Sequence, residues 1–182
     1  MKEKSKKDLY SWITSILFAI LITVVCRVFL FTPITVFGDS MLPTFKTQDR
    51  IIVSKISEIQ RFDTIVFDAP DVTGKQYIKR VIGLPGDKIE MKDDILYING
   101  TAYEEAYVNK NINNTMYNKA TGDFNFQEFT DETKVPKNHY FVLGDNRWNS
   151  SDSREFGFIK KDSVIGEVKF RFFPFNDVGI IE

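Results

Sequence analysis

Cysteine and histidine are almost absent from this chain of 182 residues, which has one of each, Cys26 and His139. A lone cysteine excludes an intramolecular disulfide, and one cysteine with one histidine cannot build a Cys/His zinc cluster. A single histidine, lying between Asn138 and Tyr140 at the start of an expected strand, also makes a poor third of a Ser-His-Asp arrangement. A structural role is the better reading for it. No basic stripe is present. Residues 1–31 carry five basic side chains against two acidic ones, a net of +3, which leaves 19 basic and 23 acidic for the rest. An acidic remainder excludes a nucleic-acid partner. Repeats, heptads and small-residue cleavage sites of the A-x-A type after the apolar run are missing as well.

What is present begins with that run, Trp12 to Phe31, WITSILFAILITVVCRVFLF. About 20 residues of helix cross a hydrocarbon core of roughly 30 Å. The run is apolar all round, so it suits neither amphipathic packing nor a surface-lying helix. It ends in bulky residues, Val28 to Phe31, and the expectation is an uncleaved anchor. Lys2, Lys4, Lys6 and Lys7 precede it and predict a cytoplasmic N-terminus over 1–11, an anchor over 12–31 and an outer domain over 32–182.

Past Pro33, short segments rich in β-branched and aromatic residues alternate with turn signals. Ile34–Phe37, Arg50–Ile56, Thr64–Phe67, Tyr77–Ile82, Ile89–Lys92, Ile95–Ile98, Tyr140–Leu143 and Val164–Phe173 read as strands. Leu84-Pro85-Gly86-Asp87 has the form of a type II turn, and Asp93-Asp94 and Asn99-Gly100 are hairpin signals. The predicted fold is mainly β, two packed antiparallel sheets or a partly closed barrel, with one N-terminal transmembrane helix. Residues 104–135, polar and weakly periodic, are expected to form an insertion or mobile segment.

Three stretches carry candidate chemistry. Ser40 lies in the turn-like VFGDSMLPTF, just beyond the anchor. Without a histidine, a serine nucleophile needs another base, and a buried lysine serves because burial favours its neutral form. Lys79 sits in QYIKRVI, where alternation puts Tyr77, Lys79 and Val81 on one face. The residues alone leave open an ordinary exposed strand lysine. The third stretch, Gly144 to Arg154, is a loop dense in polar side chains, either a charge network bracing a site or a solvated turn. Arg147 at the third position of a D-x-[DN]-x-[DN]-G pattern excludes a calcium loop.

Taken in order, GDSMLPT (38–44), DRIIV (49–53), YIKRVIGLPGD (77–87) and the 144–154 loop, behind one anchor, resemble bacterial type I signal peptidases of the short Gram-positive kind. The resemblance implies a serine endopeptidase of the Ser-Lys dyad type that uses neither metal nor cofactor. It removes signal peptides from exported preproteins after small residues of A-x-A pattern, as a monomer on the outer face of the cell membrane. By the same resemblance Ser40 is the nucleophile and Lys79 the base. Ser150 orients the lysine, and Asp145, Asp152 and Arg154 brace the site. The Ser40 N–H forms the oxyanion hole. Some relatives add a serine hydroxyl two residues earlier; Gly38 stands there, so a backbone N–H or water substitutes. Ile34, Val36 and Ile78 match shallow substrate pockets, and the bilayer and the preprotein are the implied partners. Two alternatives are a self-cleaving LexA-like regulator, disfavoured by an anchor where a DNA-binding domain belongs, and a non-enzymatic membrane-tethered β module.

Overall fold

The computed structural model describes residues 2–108, 119–125, 128 and 132–181. Helix α1 (Lys2–Val25) runs into a π-helical turn (Cys26–Leu30), which passes without a loop into strand β1 (Phe31–Thr35). Tyr10–Leu30, mean hydropathy 2.5, is long and apolar enough to cross a membrane, and none of it is buried within the protein. Hydroxyls inside it turn inward: Thr23 Oγ1 donates to Ala19 O at 2.8 Å and Ser15 Oγ to Ser11 O at 2.9 Å. They satisfy themselves on the helix backbone, so they do not interrupt the apolar surface.

The remaining strands are β2 (Arg50–Ser54), β3 (Thr64–Asp68), β4 (Gln76–Gly83), β5 (Ile89–Lys92), β6 (Ile95–Ile98), β7 (Thr101–Tyr103), β8 (Phe124–Asn125), β9 (His139–Leu143), β10 (Ile159–Lys160), β11 (Val164–Phe173) and β12 (Gly179–Ile180). Helix α2 (Ser153–Phe156) is one turn between β9 and β10. Among the described residues the strands form two antiparallel sheets. The larger has the order β1-β2-β11-β3-β4-β9-β10, with β12 on β11, and the smaller the order β7-β6-β5-β8. Neither closes into a barrel.

Turn chemistry fixes the smaller sheet. Asp93 and Asp94 (φ 51 and 59°) join β5 to β6, and Asn99 and Gly100 (φ 54 and 82°) join β6 to β7. Both pairs adopt the left-handed values that a two-residue hairpin matched to strand twist requires. One core cluster, including Ile82, Phe141 and Leu143 of the larger sheet and Ile89, Met91, Leu96 and Phe124 of the smaller, packs the two together. A second cluster holds Val36, Met41 and Phe45 of the loop after β1 against Ile51, Val53, Val66 and Val168.

One sequence expectation changes. The first strand was placed at Ile34–Phe37 but covers Phe31–Thr35, because the π-helical turn ends at Leu30 and pairing with β2 starts at once (Phe31 opposite Ser54). The described flanks of the 104–135 segment are packed parts of the fold: Glu105, Val108, Thr121, Phe124 and Val135 are all buried. Residues 109–118 of that segment lie outside the described residues.

Candidate active site

The loop between β1 and β2 is held in shape before it presents anything. Met41 and Phe45 are buried in the core beneath it, and Phe45 N–H donates to Met41 O at 2.9 Å, closing one helical turn. The loop's base is tied by Val36 N–H to Asp49 O and Gln48 N–H to Val36 O. Arg171 reaches across from β11 to Thr44 O (2.8 Å) and to the Asp49 carboxylate (3.1 Å). From the other side, Asn146 N–H donates to Ser40 O at 3.0 Å and its side-chain amide to Asp39 O at 3.0 Å. Ser40 is therefore carried on a turn fixed at both flanks.

Lys79 Nζ donates to Ser40 Oγ at 2.7 Å. Lys79 is 3% exposed, and among the described residues it forms no ion pair. Burial lowers its pKa from 10.5 to about 8; the more distant charges of Asp152 and Asp145 oppose that shift and Arg154 reinforces it. An amine of this kind is neutral in a substantial fraction at mildly alkaline pH, and its hydrogen-bond partner is a hydroxyl.

Both side chains open onto a groove of about 630 Å³, whose walls include Ile34 and Val36 on one side and Tyr77 and Ile78 on the other. Gly38, also at the groove, has φ +86° and open space where a side chain would stand. Its N–H donates to Thr47 Oγ1 at 3.0 Å, and Thr47 Oγ1 returns a bond to Gly38 O at 3.1 Å. The Ser40 N–H has no such acceptor among the described residues.

Behind the groove, the 144–154 loop is a network of buried charge. Arg80 holds Asp145 with two parallel bonds (2.9 and 2.7 Å), and Thr44 Oγ1 donates to the same carboxylate. Asp152 caps α2, accepting from Arg154 N–H and from both Nε (2.8 Å) and a terminal nitrogen (2.8 Å) of the Arg154 guanidinium; it also accepts from Gly144 N–H at 3.1 Å. A Cβ at Gly144 would overlap Ser150 Oγ and Ser40 O, so only glycine allows the loop to pass so close to the Ser40 backbone. The sequence-predicted residues Ser40, Lys79, Gly38, Ile34, Val36 and Ile78 thus share one groove, with Asp145, Asp152 and Arg154 packed behind it. Ser150 differs from expectation: its buried Oγ makes no hydrogen bond among the described residues, to Lys79 or to any other group.

Several contributors were not foreseen. Arg80, next to Lys79 on β4, supplies the partner of Asp145; the alternation that assigns Lys79 and Arg80 to opposite faces was the available signal. Arg147 is buried and binds Gly144 O, Glu105 and Thr121 Oγ1, while Tyr107 O–H donates to Glu105 and its ring lies 4.0 Å from the Arg80 guanidinium. Trp148 Nε1–H donates to Lys119 O at 2.9 Å. Arg147 and Trp148 therefore fasten the described residues on both sides of 109–118 to the site loop. His139 lies opposite Lys160, with Nδ1 2.9 Å from Lys137 O, and has no bond to Ser40 or Lys79.

The signal peptidase profile (signal peptidase, peptidase S26) matches residues 9–173, and the chain belongs to that family. It is 44% identical over 162 residues to signal peptidase I of Bacillus caldolyticus, covering 87% of this chain and 88% of that one. It is 41% identical over 180 residues to signal peptidase IB of Staphylococcus aureus, covering 94% and 93%. Among solved structures, the crystal structure of a signal peptidase I from Enterococcus faecalis V583 superposes with a TM-score of 0.57 at 47% identity, covering 62% of this chain and 97% of that one. Membership makes the chain a signal peptidase enzyme and sets aside the self-cleaving regulator and the non-enzymatic tether.

Proposed function

We propose that the chain cleaves signal peptides from exported preproteins after small residues of A-x-A pattern, with Ser40 as nucleophile and Lys79 as general base. The observation that carries this reading is the 2.7 Å contact between Ser40 Oγ and a buried Lys79 that has no carboxylate partner among the described residues.

In the neutral state, the Lys79 amine accepts the Ser40 hydroxyl proton as Oγ attacks the scissile carbonyl. The Ser40 N–H, without an acceptor of its own among the described residues, stabilises the oxyanion. Protonated Lys79 then gives its proton to the leaving amine, and the mature protein departs. Water, deprotonated by the regenerated amine, attacks the acyl ester; protonated Lys79 then returns the proton to Ser40 Oγ as the signal peptide leaves with a new carboxylate.

The signal peptide's last residues lie extended in the groove, adding a strand against the unpaired edges of β1 and the first half of β4. Ile34, Val36 and Ile78 wall off the space for large side chains at the A-x-A positions. The basic N-terminus stays cytoplasmic, residues 12–31 span the bilayer, and residues 32–182 work on the outer face, where signal peptides emerge.

The test is preprotein cleavage in detergent micelles by wild type, Ser40→Ala and Lys79→Ala. Each variant is expected to lose about a thousandfold or more in kcat, as removal of a dyad member does. Near wild-type turnover by either variant overturns the assignment.

A further inference from the structure

The last carbonyls of a helix have no partner within it, and at a membrane surface such groups are costly to leave unsatisfied. In this chain two of them are taken by one residue of the β domain. Lys55 N–H donates to Leu30 O at 2.9 Å, and Lys55 Nζ donates to Val28 O at 2.9 Å. Lys55 directly follows β2, and the pairing of Phe31 with Ser54 brings it to the helix end. A cation there also meets the negative end of the helix dipole. The two bonds, one from the backbone and one from the side chain, hold the π-helical turn against β2 as well as β1.

The distance from this clamp to the chemistry is short. Ile34, a wall of the groove that contains Ser40 and Lys79, is four residues beyond Leu30 along a paired strand, about 13 Å. A change in how the helix leaves β1 is therefore passed on to the groove as a change in its height and tilt over the bilayer. We propose that Lys55 is a positioning residue: by clamping the end of the anchor to β2 it sets where Ser40 stands above the membrane, so that a signal peptide embedded in the same bilayer meets the nucleophile at its scissile bond. This rests on the proposed cleavage of signal peptides by Ser40 and adds a residue outside the groove that governs only substrates whose own position the membrane fixes.

Two substrates in the same phosphatidylethanolamine–phosphatidylglycerol vesicles separate the cases. One is a preprotein with its apolar run intact; the other is a soluble peptide with the same cleavage sequence and no apolar run. For Lys55→Met, kcat/KM on the preprotein is expected to fall about fivefold, the effect of about 1 kcal/mol of lost positioning, with the peptide changed by less than about 1.5-fold. Lys55→Arg, which also presents a cationic donor, is expected to restore the preprotein rate. An equal fall on both substrates would show a general structural role and overturn the proposal, as would no fall on either. A wild-type enzyme that cleaves neither substrate overturns the functional reading and this inference with it.

Discussion

Strand β4 carries two consecutive buried cations, Lys79 and Arg80, which alternation turns to opposite sides of the larger sheet. Arg80 is given everything a buried charge requires: two bonds to Asp145, one to Phe62 O at 2.8 Å, and the face of Tyr107. Lys79 is given a hydroxyl and the edge of an apolar environment, with the Tyr77 ring 5.5 Å away. A guanidinium does not titrate in the accessible range, so pairing it yields rigidity. An amine denied a carboxylate gives up its proton more readily, and reactivity is gained at the cost of stability. One side of the strand is thus built to keep its charge and the other to lose it.

The largest effect should come from making the two sides alike. Lys79→Arg keeps a cation beside Ser40 but supplies no titrating base, and kcat on a preprotein should fall about a thousandfold or more, as in loss of the lysine altogether. For the wild type, kcat/KM should rise roughly tenfold per pH unit below about 8 and level off above it, following deprotonation of Lys79. A profile flat between pH 6 and about 9 would refute the contrast.

Next in size is the Arg80 side. Arg80→Met leaves Asp145 buried without its cation, and denaturant unfolding should show a loss of about 3–5 kcal/mol. The Lys79 side should respond with the opposite sign. Its pKa is lowered on folding, so the unfolded chain binds more protons between pH 8 and 10.5 and stability rises with pH through that window. Lys79→Met removes a buried cation that the fold tolerates at a cost, and at pH 7 it should gain about 2 kcal/mol. The gain should shrink as pH approaches 10.5, where the wild-type lysine is neutral in both states. The smallest expected effect is that of Thr44→Val, which removes one hydroxyl donor from Asp145 but leaves Arg80 in place. About 1 kcal/mol of stability and less than about threefold in kcat should be lost. A larger loss of kcat would mean that the Arg80 network reaches the Ser40 turn through Thr44.

How much of this could be read in advance depended on whether the signal was local. Val164–Phe173 was located to the residue, and the turns at Asp93-Asp94 and Asn99-Gly100 were legible because hairpin geometry restricts which residues can occupy them. The strands β8, β10 and β12, two residues each, were not, since so short a segment has no periodicity. At the site, Ser40 and Lys79 could be singled out as candidates, but their 2.7 Å contact joins residues 39 apart in the chain and depends on packing. The polar look of 104–135 hides buried positions for a related reason. Glu105 is charged and yet buried, because its partner Arg147 lies 42 residues away. Composition sees the charge without its partner, and so predicts solvent where the fold has built an interior ion pair. Gly38 was visible as a departure from relatives, whereas the loss of its N–H to Thr47 required the closed loop.

The chain's only two tryptophans divide conveniently between the apolar helix and the site. Trp12 is in α1, and Trp148 bridges the site loop to Lys119, with the edge of its indole over Gly122. Replacing Trp12 with phenylalanine leaves a single intrinsic fluorophore at the seam between the catalytic loop and the neighbouring segment. Its emission wavelength and its accessibility to a soluble quencher would then report, without any attached dye, whether that seam stays closed while a preprotein occupies the groove.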